Sequence, residues 1–262
     1  MKNIFKTLGI SSLAIFAVIV LSCNNDDNSP IPAANCIPTS LQNGIIASYT
    51  FANGSLNDSS GNGYHLTNST SASSDADRAG NANCAFHFTK ANGEYLEYVN
   101  PTFLDNIQTQ TFTISLWYKN KNTSLNDYEL LIGRDIGLHC PNTYGQWSLG
   151  LYDLRKPNFG MNQYSTNWNS NPINSISVTP SQWRHLVVTS DGNIDFKIYL
   201  DNVLTSTLVD PTLAPCGPLT SNIGNLYLGK DFDGFLDDIV IYNRILTQAE
   251  ITQLYNLAPC CS

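Results

Sequence analysis

The chain has 262 residues, a formal net charge of −8 and a pI of about 4.7. Its 13 lysines and arginines are too few to form the basic surface that a nucleic acid requires, so we expect no nucleic-acid partner. Charged residues make up only 13% of the chain, which leaves asparagine, serine, threonine and glutamine to provide most of its solubility.

Residues 1–22 are predicted to be a signal peptide. Lys2 and Lys6 precede the apolar run LGISSLAIFAVIVLS, which is short and poorly flanked for a transmembrane helix. The run ends at Cys23 in LSC, which resembles a lipobox, and we expect this cysteine to be lipidated; an ordinary secretory signal with a chance cysteine is the alternative. Residues 23–40 form a polar tether whose acidic start is similar to the export tag of surface lipoproteins. We therefore expect an outer-membrane lipoprotein exposed at the cell surface.

Six further cysteines remain in the exported chain, and an even number predicts disulfide bonds. Cys36 lies just before the first predicted strand, and Cys260 and Cys261 lie just after the last helix, so a bond between the chain ends is the preferred pairing. Cys140 and Cys216 lie in proline-containing loops and could form another. Zinc is not expected, since no CxxC pair occurs and the histidines are scattered.

Residues 41–262 read as short strands separated by turns rich in glycine, asparagine and aspartate. In TFTISLWYK, alternation places Phe112, Ile114, Leu116 and Tyr118 on one face. Many short strands with a single helix predict an antiparallel sandwich or barrel. The strand-like runs are GIIASYTF, CAFHFT, EYLEYV, TFTISLWYK, YELLIGRD, QWSLGLYD, WRHLVVTSD, DFKIYLDN, NLYLGKD and FLDDIVIYN.

The one convincing helix follows the last of these strands. Thr247 is expected to be its N-cap, and Glu250 three residues later completes a capping box. Ile251 and Leu254 then provide its apolar stripe.

Asp237 and Asp238 stand side by side at the head of the last predicted strand. Because adjacent strand residues point to opposite faces, one carboxylate is expected to face inward, where an unpaired charge is costly. Alternation alone does not decide which one, and our choice is Asp237. A hydrogen bond from a tyrosine or from an arginine such as Arg244 could compensate the charge.

Five segments, taken in order, resemble the laminin-G-like, concanavalin A-like lectin/glucanase domains of bacterial surface proteins. Together they span roughly residues 44–256. The resemblance implies an all-β, jelly-roll sandwich of two antiparallel sheets in which the first and last strands are neighbours. The segments are IIASYTFANGSLNDSSGNGYHLT, RAGNANCAFHFTKANGEYLEY, FTISLWYK, WRHLVVTSDGNIDFKIYLDNVL and LYLGKDFDGFLDDIVIYNRILTQAEITQLY.

The same resemblance implies a structural calcium ion. The loop NGSLNDSSGNG taken alone is most often only a turn. In the family, the acidic residue of this loop and one acid of the last strand often share a calcium. Here these are Asp58 and Asp237 or Asp238, with backbone carbonyls near Asn53 or Asn62 as further ligands.

Catalysis of the glucanase type is not expected. Glucanases of this family carry clustered Glu and Asp residues at alternate positions of one strand, and no such motif occurs here. Glu94 and Glu97 are three apart and should lie on opposite faces of their strand. His185 is predicted to be structural, although a Tyr/His lyase is left open.

A sugar-binding surface is predicted in the segment between Trp147 and Trp168, which is rich in Asn, Tyr and Gly. Aromatic rings stack on sugars while amides and an arginine bind their hydroxyls; anchoring of a long loop is an equally good reading. Trp117 and Trp183 are instead expected to pack in the core. The predicted ligand residues are Trp147, Trp168, Tyr144, Tyr152, Tyr164, Asn162, Asn167 and Arg155.

The sequence thus predicts a calcium-stabilised, non-catalytic glycan-binding domain of a surface lipoprotein. Two alternatives stay open, namely a glycoside hydrolase or polysaccharide lyase on the same scaffold and a protein-binding adhesin.

Overall fold

Two antiparallel sheets enclose the core of the protein in the computed structural model. The helices are α1 (Thr39–Gln42) and α2 (Gln248–Asn256), and 3₁₀ turns span Ala52–Gly54, Lys90–Asn92, Thr102–Leu104 and Ile107–Thr109. The structure describes residues 36–124, 127–135, 139–140, 143–144, 147–161, 164–165, 178–193, 195–206, 222 and 224–261.

The strands are short, as the predicted spacing of turns requires. In chain order they are β1 (Ile45–Tyr49), β2 (Ser73–Asp75), β3 (Ala85–Phe88), β4 (Leu96–Tyr98), β5 (Phe112–Asn120), β6 (Glu129–Asp135), β7 (His139–Cys140), β8 (Thr143–Tyr144), β9 (Trp147–Tyr152), β10 (Lys156–Met161), β11 (Tyr164–Ser165), β12 (Trp183–Ser190), β13 (Phe196–Leu200), β14 (Val203–Ser206), β15 (Asn225–Leu228) and β16 (Gly234–Tyr242).

The first sheet has the order β14-β13-β12-β5-β16-β3-β2, and β1 also pairs with β16. β16 therefore has β5 along one side, while β3 and β1 pair in turn with the first and second halves of its other side. The second sheet has the order β11-β10-β9-β6-β15-β4, and β7 and β8 form a separate hairpin. The predicted sandwich and the predicted pairing of first and last strands are both confirmed.

Alternation along the strands decides which side chains enter the core. Phe112, Ile114, Leu116 and Tyr118 all lie in the core cluster, as predicted. Trp147 joins them with 0% of its surface exposed, in phase with the core leucines of β9.

A second apolar cluster lies on the outer face of the eight-stranded sheet, where α2 packs against it. The predicted capping box is present, because Thr247 accepts a hydrogen bond from the Glu250 N–H and Glu250 accepts one from the Thr247 N–H. Ile251 and Leu254 are the buried residues of α2. No helix among the described residues has the length and apolar character needed to cross a membrane.

Two disulfide bonds tie the C-terminus to earlier parts of the chain. Cys36 is bonded to Cys260, which confirms the predicted bond between the chain ends. Cys84 is bonded to Cys261, a pairing that the sequence did not indicate. Cys216 lies outside the described residues, so the predicted bond to Cys140 stays a prediction.

Candidate functional site

Arg78 balances the adjacent aspartates of β16. One guanidinium nitrogen, Nη1, lies 3.0 Å from Oδ2 of Asp237 and 2.5 Å from Oδ2 of Asp238. The register of β16 shifts between Asp237 and Val240, and Asp238 has a φ of 44°, so a β-bulge interrupts the alternation. Asp237, the residue chosen from the sequence, is completely buried, but the bulge lets Asp238 reach Arg78 as well, so the expectation that the two carboxylates point to opposite faces is wrong. The sequence suggested Arg244 as the compensating arginine, but the partner is Arg78.

The same arginine fastens the C-terminal segment. Its Nη2 donates to the carbonyl of Leu257, and the N–H of Cys260 donates to Oδ2 of Asp238. Its guanidinium carbon lies 4.5 Å from the centre of the Trp117 ring. Arg78, Asp237 and Asp238 are here called the Arg78 node.

Burial dominates the ionisation of the node, which holds two acids and one base. It raises the pKa of Asp237 well above its usual range, and the neighbouring charge of Asp238 adds to this effect. Burial also raises the pKa of Asp238, although the guanidinium of Arg78 opposes the rise. The guanidinium is therefore the group that keeps the two carboxylates ionisable inside the fold.

Asp58 has a different set of partners. Its Oδ1 accepts hydrogen bonds from the N–H groups of Ser48 and Ser60, each at 2.9 Å. Its Oδ2 accepts from the Ser60 hydroxyl at 2.8 Å and from the N–H of Tyr64 at 3.1 Å. These four donors occupy the lone-pair positions of the carboxylate. Asp58 thus closes its own loop onto β1.

The shared calcium ion stays a prediction, and the described residues do not fit it. Calcium takes six to eight oxygen ligands. The oxygens of Asp58 are engaged by N–H and O–H donors, and Asp237 and Asp238 face a guanidinium. The side chain of Asn62 donates to the carbonyls of Ile45 and Ile46. Asn53 is exposed and has a left-handed backbone, as a turn residue would.

We expect the protein to melt at the same temperature, within about 1 °C, in EDTA and in millimolar calcium. An ion bound at one hundred times its Kd would add about 2.7 kcal/mol and raise the melting temperature by several degrees. A calcium-dependent rise that Asp58→Asn abolishes would contradict this expectation.

His185 and Ser115 form a buried pair, with 2.9 Å between Nε2 and Oγ. Burial, assisted by the charge of Arg78, lowers the pKa of His185 to about 3. Nδ1 has no hydrogen-bond partner among the described residues, so no third group orients the ring. The pair lines a small cleft beneath the C-terminal segment, next to Leu257 and Cys260. These features fit the structural role predicted for His185 and argue against a general base.

Three members of the predicted sugar platform can be assessed. Trp147 is completely buried in the core, so its ring is not available for stacking and this prediction is wrong. Arg155 is buried and donates to the carbonyls of Thr123, Ser124 and Val178, which makes it a clamp between loops. Tyr152 is half-buried on the six-stranded sheet, with its ring 6.3 Å from that of Tyr128.

The other predicted platform residues stay predictions. Tyr144 and Tyr164 lie in β8 and β11, but their side chains are outside what the structure describes. The same holds for every atom of Trp168, Asn162 and Asn167, and also for Cys23.

Trp117 and Trp183 are not in the core, contrary to prediction. Both lie half-buried on the outer face of the eight-stranded sheet. Trp117 stacks on Tyr255 of α2 at 5.7 Å, whereas Trp183 lies beside Lys119 and Phe235. Both tryptophans have odd residue numbers, whereas the core residues of β5 and β12 have even numbers. Strand alternation therefore already predicted that the tryptophans lie on the outer face.

The outer face of the six-stranded sheet presents a second group of aromatic and polar side chains where β4 and β15 pair. Leu96, Leu226 and Leu228 point into the core, so the residues between them point outward. We call this group the tyrosine face. Its residues are Tyr95, Glu97, Asn225 and Tyr227, all half-buried.

Contacts within the tyrosine face are loose. The rings of Tyr95 and Tyr227 meet edge to face at 5.1 Å. Oε2 of Glu97 accepts from the Asn225 amide at 3.4 Å, and Oε1 accepts from the Ser69 hydroxyl at 3.3 Å. Lys230 lies 4.5 Å from the centre of the Tyr227 ring. Such long hydrogen bonds are weak and can be exchanged for bonds to a ligand.

The sequence does contain a pattern that predicts the tyrosine face. In EYLEY and NLYLG, the leucines alternate with tyrosine, glutamate and asparagine, which predicts a polar outer face. No comparable signal identifies Arg78, which lies 159 and 160 residues before its two aspartates.

Comparison with known families matches residues 90–252, more than half of the chain, to Laminin_G_3, described as the concanavalin A-like lectin/glucanases superfamily. The chain belongs to this superfamily. The match covers β4 to the middle of α2 and so includes the tyrosine face. No curated protein has a matching sequence.

Solved structures with the same fold include binding domains of toxins and a domain of an arabinanase. A structure of botulinum neurotoxin type C, whose cell entry depends on interaction with two ganglioside molecules, has a TM-score of 0.57 at 16% identity, covering 83% of this chain and 52% of that one. The binding domain of Paraclostridial Mosquitocidal Protein 1 has a TM-score of 0.56 at 16% identity, covering 82% and 52%. This chain thus spans about half the length of these toxin domains.

Domain 4 of AbnA, an extracellular arabinanase from Geobacillus stearothermophilus solved with arabinotriose, has a TM-score of 0.55 at 19% identity. The similarity covers 81% of this chain and 98% of that domain. At these identities the similarity establishes the fold.

Proposed function

We propose that the protein is a non-catalytic glycan-binding domain, which a lipid on Cys23 and the tether of residues 23–40 hold at the outer surface of the outer membrane. Its superfamily includes lectins, and its structural neighbours include a domain solved with arabinotriose. The described residues suggest that calcium is not required for this function.

The tyrosine face is the observation that carries the proposal. A sugar offers apolar C–H faces and a rim of hydroxyl groups, which require aromatic rings next to donors and acceptors. The face supplies both, with the rings of Tyr95 and Tyr227 beside the amide of Asn225 and the carboxylate of Glu97. Its side chains are already partly ordered by one another, which lowers the entropy lost on binding.

Two carboxylates elsewhere are occupied with structural tasks, which supports a non-catalytic role. Glu129 is buried and accepts hydrogen bonds from the Asn120 amide and the N–H of Asp233. Burial raises its pKa, which these two donors lower in part. Glu94 accepts from Ser71, Asn92 and the N–H of Thr89. Neither is paired with a second acid as a glycosidase requires.

Tyr227→Ala is expected to weaken binding to any glycan selected on an array by about tenfold or more, which is at least 1.4 kcal/mol. The measurement is titration calorimetry with the selected oligosaccharide. Tyr255→Ala is a matched control, because Tyr255 is also a half-buried tyrosine but lies in α2, where it stacks on Trp117 of the opposite sheet. Melting curves of both variants show whether folding is kept.

Two results would refute the proposal in different ways. If no glycan binds the native protein, the glycan-binding function is wrong. If a glycan binds but Tyr227→Ala and Tyr95→Ala have no effect, the function stands and the site is elsewhere; Tyr152→Ala then tests the segment predicted from the sequence.

A further inference from the structure

A row of aromatic and basic side chains crosses the outer face of the eight-stranded sheet. The registers place Trp183 of β12 opposite Lys119 of β5, Lys119 opposite Phe235 of β16, and Phe235 opposite His87 of β3. Residues directly opposite each other share a face, so these four side chains lie side by side. We call them, together with Lys121, the lysine row. It is the next row along the strands after that of Trp117, and all of its members keep part of their surface exposed.

The rings hold the ammonium groups in place. Lys119 Nζ lies 4.1 Å from the centre of the Phe235 ring and 5.1 Å from that of Trp183. Lys121 Nζ lies 5.7 Å from the Phe235 ring centre and 3.2 Å from Nε2 of His87. His87 stacks on the other side of Phe235 at 4.6 Å. Cation–π contacts on both sides restrict the otherwise flexible Lys119 side chain.

Neither Lys119 nor Lys121 has an acidic partner in the part of the chain that the structure describes. Among the described residues, no carboxylate oxygen lies within 4.0 Å of Nζ of either one. Asp237, two residues beyond Phe235 on the same strand, is held by Arg78. Asp233, on the other side of Phe235, forms no ion pair with them and contacts Lys121 through its backbone carbonyl. With respect to the described carboxylates, the row thus holds two cations without an ion pair in a protein whose net charge is −8.

We propose that the lysine row binds an acidic glycan, in which carboxylate or sulfate groups repeat along the chain. Lys119 lies in β5 and Lys121 directly follows Asn120, the last residue of that strand, so with Asn120 extended their Cα atoms are about 7 Å from each other. Two adjacent anionic groups of one chain can therefore meet both ammonium groups. The rings of Trp183 and Phe235 add apolar surface beside the charges. This surface is on the opposite sheet from the tyrosine face and does not depend on it.

The charge of the protein favours a single chain over an anionic membrane. An anionic lipid surface would face one entire side of the protein and be repelled by its net negative charge. A single glycan chain can contact the lysine row without contacting the acidic surroundings. The proposal therefore commits to a glycan, and vesicles serve as the competing test.

The test measures binding of the purified protein to polygalacturonate and to dextran sulfate by titration calorimetry. Fully methyl-esterified polygalacturonate and plain dextran are the neutral counterparts. We expect the acidic polymers to bind at least tenfold more tightly than the neutral ones, with affinity falling as salt is added. The double variant Lys119→Gln/Lys121→Gln should lose at least fivefold in affinity for the acidic polymers.

The control is Lys197→Gln. Lys197 of β13 pairs with Thr189 of β12, which pairs in turn with Thr113 of β5, so Lys197 lies in a row six residues along the strands from Lys119, or about 20 Å away. Its ion pair with Asp195, at 3.7 Å, is exposed, so its loss should leave binding unchanged.

Each remaining outcome counts against the proposal. Equal binding of acidic and neutral polymers would overturn it while leaving glycan binding intact. Absence of any polymer binding, or an equal loss in Lys197→Gln, would overturn it as well. Stronger binding to vesicles of phosphatidylserine and phosphatidylcholine than to the polymers would assign the row to a membrane instead.

Discussion

Replacing Arg78 with methionine is expected to lower the free energy of unfolding by about 3–5 kcal/mol. Methionine replaces the unbranched apolar stem of arginine but leaves Asp237 and Asp238 without their cation. The site is buried, since only 1% of the Asp237 side chain is exposed. It also removes the donor to Leu257 and the cation over Trp117. Urea denaturation of the variant and the native protein measures the difference.

Two further variants separate the charge effect from lost packing. Arg244→Met removes an arginine whose pair with Glu250 is partly exposed, and we expect it to cost less than about 1 kcal/mol. Asp237→Asn and Asp238→Asn, added to Arg78→Met, should restore part of the lost stability because they remove the uncompensated charges. Equal losses for Arg78→Met and Arg244→Met, or no recovery in the triple variant, would contradict the role assigned to the Arg78 node.

The loss in Arg78→Met should depend on pH. The folded-state pKa values of Asp237 and Asp238 are raised, so the folded form holds protons that the unfolded form releases. A carboxyl group whose pKa is raised by folding contributes its full stabilisation only below its unfolded-state pKa, which is about 4. This contribution is lost as the pH rises through the folded-state pKa. Without the guanidinium those values rise further. The variant should therefore be closer to the native protein at pH 5 than at pH 8, as urea denaturation at both values would show.

The fold could be predicted because its signals are local. Strand alternation, the turn residues and the Thr247–Glu250 capping box each depend on a few adjacent residues, and all are present in the structure. The bond from Cys36 to Cys260 could be anticipated from the places of the cysteines at the chain ends. The partner of Cys84 could not, because the pairing depends on how β3 is placed beside the C-terminus.

The site was harder to predict because its determinants are distant in sequence or break the local pattern. Alternation failed at Asp238, where a single residue with positive φ shifts the strand by one position. Alternation was correct for the tryptophans. Two other expectations outweighed it: that tryptophans in family-matched strands are core residues, and that a tryptophan beside a long polar segment binds ligand. Trp147 is in the core, while Trp117 and Trp183 lie outside. Phase within the strand was therefore the better guide.

Removal of both disulfide bonds is expected to destabilise the protein by more than the sum of the two single removals. Each bond closes a loop in the unfolded chain. While one bond is intact, the other closes a ring of about 50 residues, and the chain-entropy estimate of the stabilisation from closing such a ring is about 4 kcal/mol. Cys36→Ser/Cys260→Ser and Cys84→Ser/Cys261→Ser should each lower the free energy of unfolding by about 2–4 kcal/mol.

The excess in the fourfold variant has a specific cause. Either bond alone keeps the C-terminal segment next to the Arg78 node, where Leu257 and Cys260 complete its hydrogen bonds. When both bonds are absent, this segment can leave, and Asp238 and Arg78 lose these partners together. Adding Arg78→Met to the fourfold variant should then cost less than it does in the native protein, which a double-mutant cycle in urea measures. If the losses from removing each disulfide bond and from Arg78→Met add strictly, the disulfides and the Arg78 node act independently.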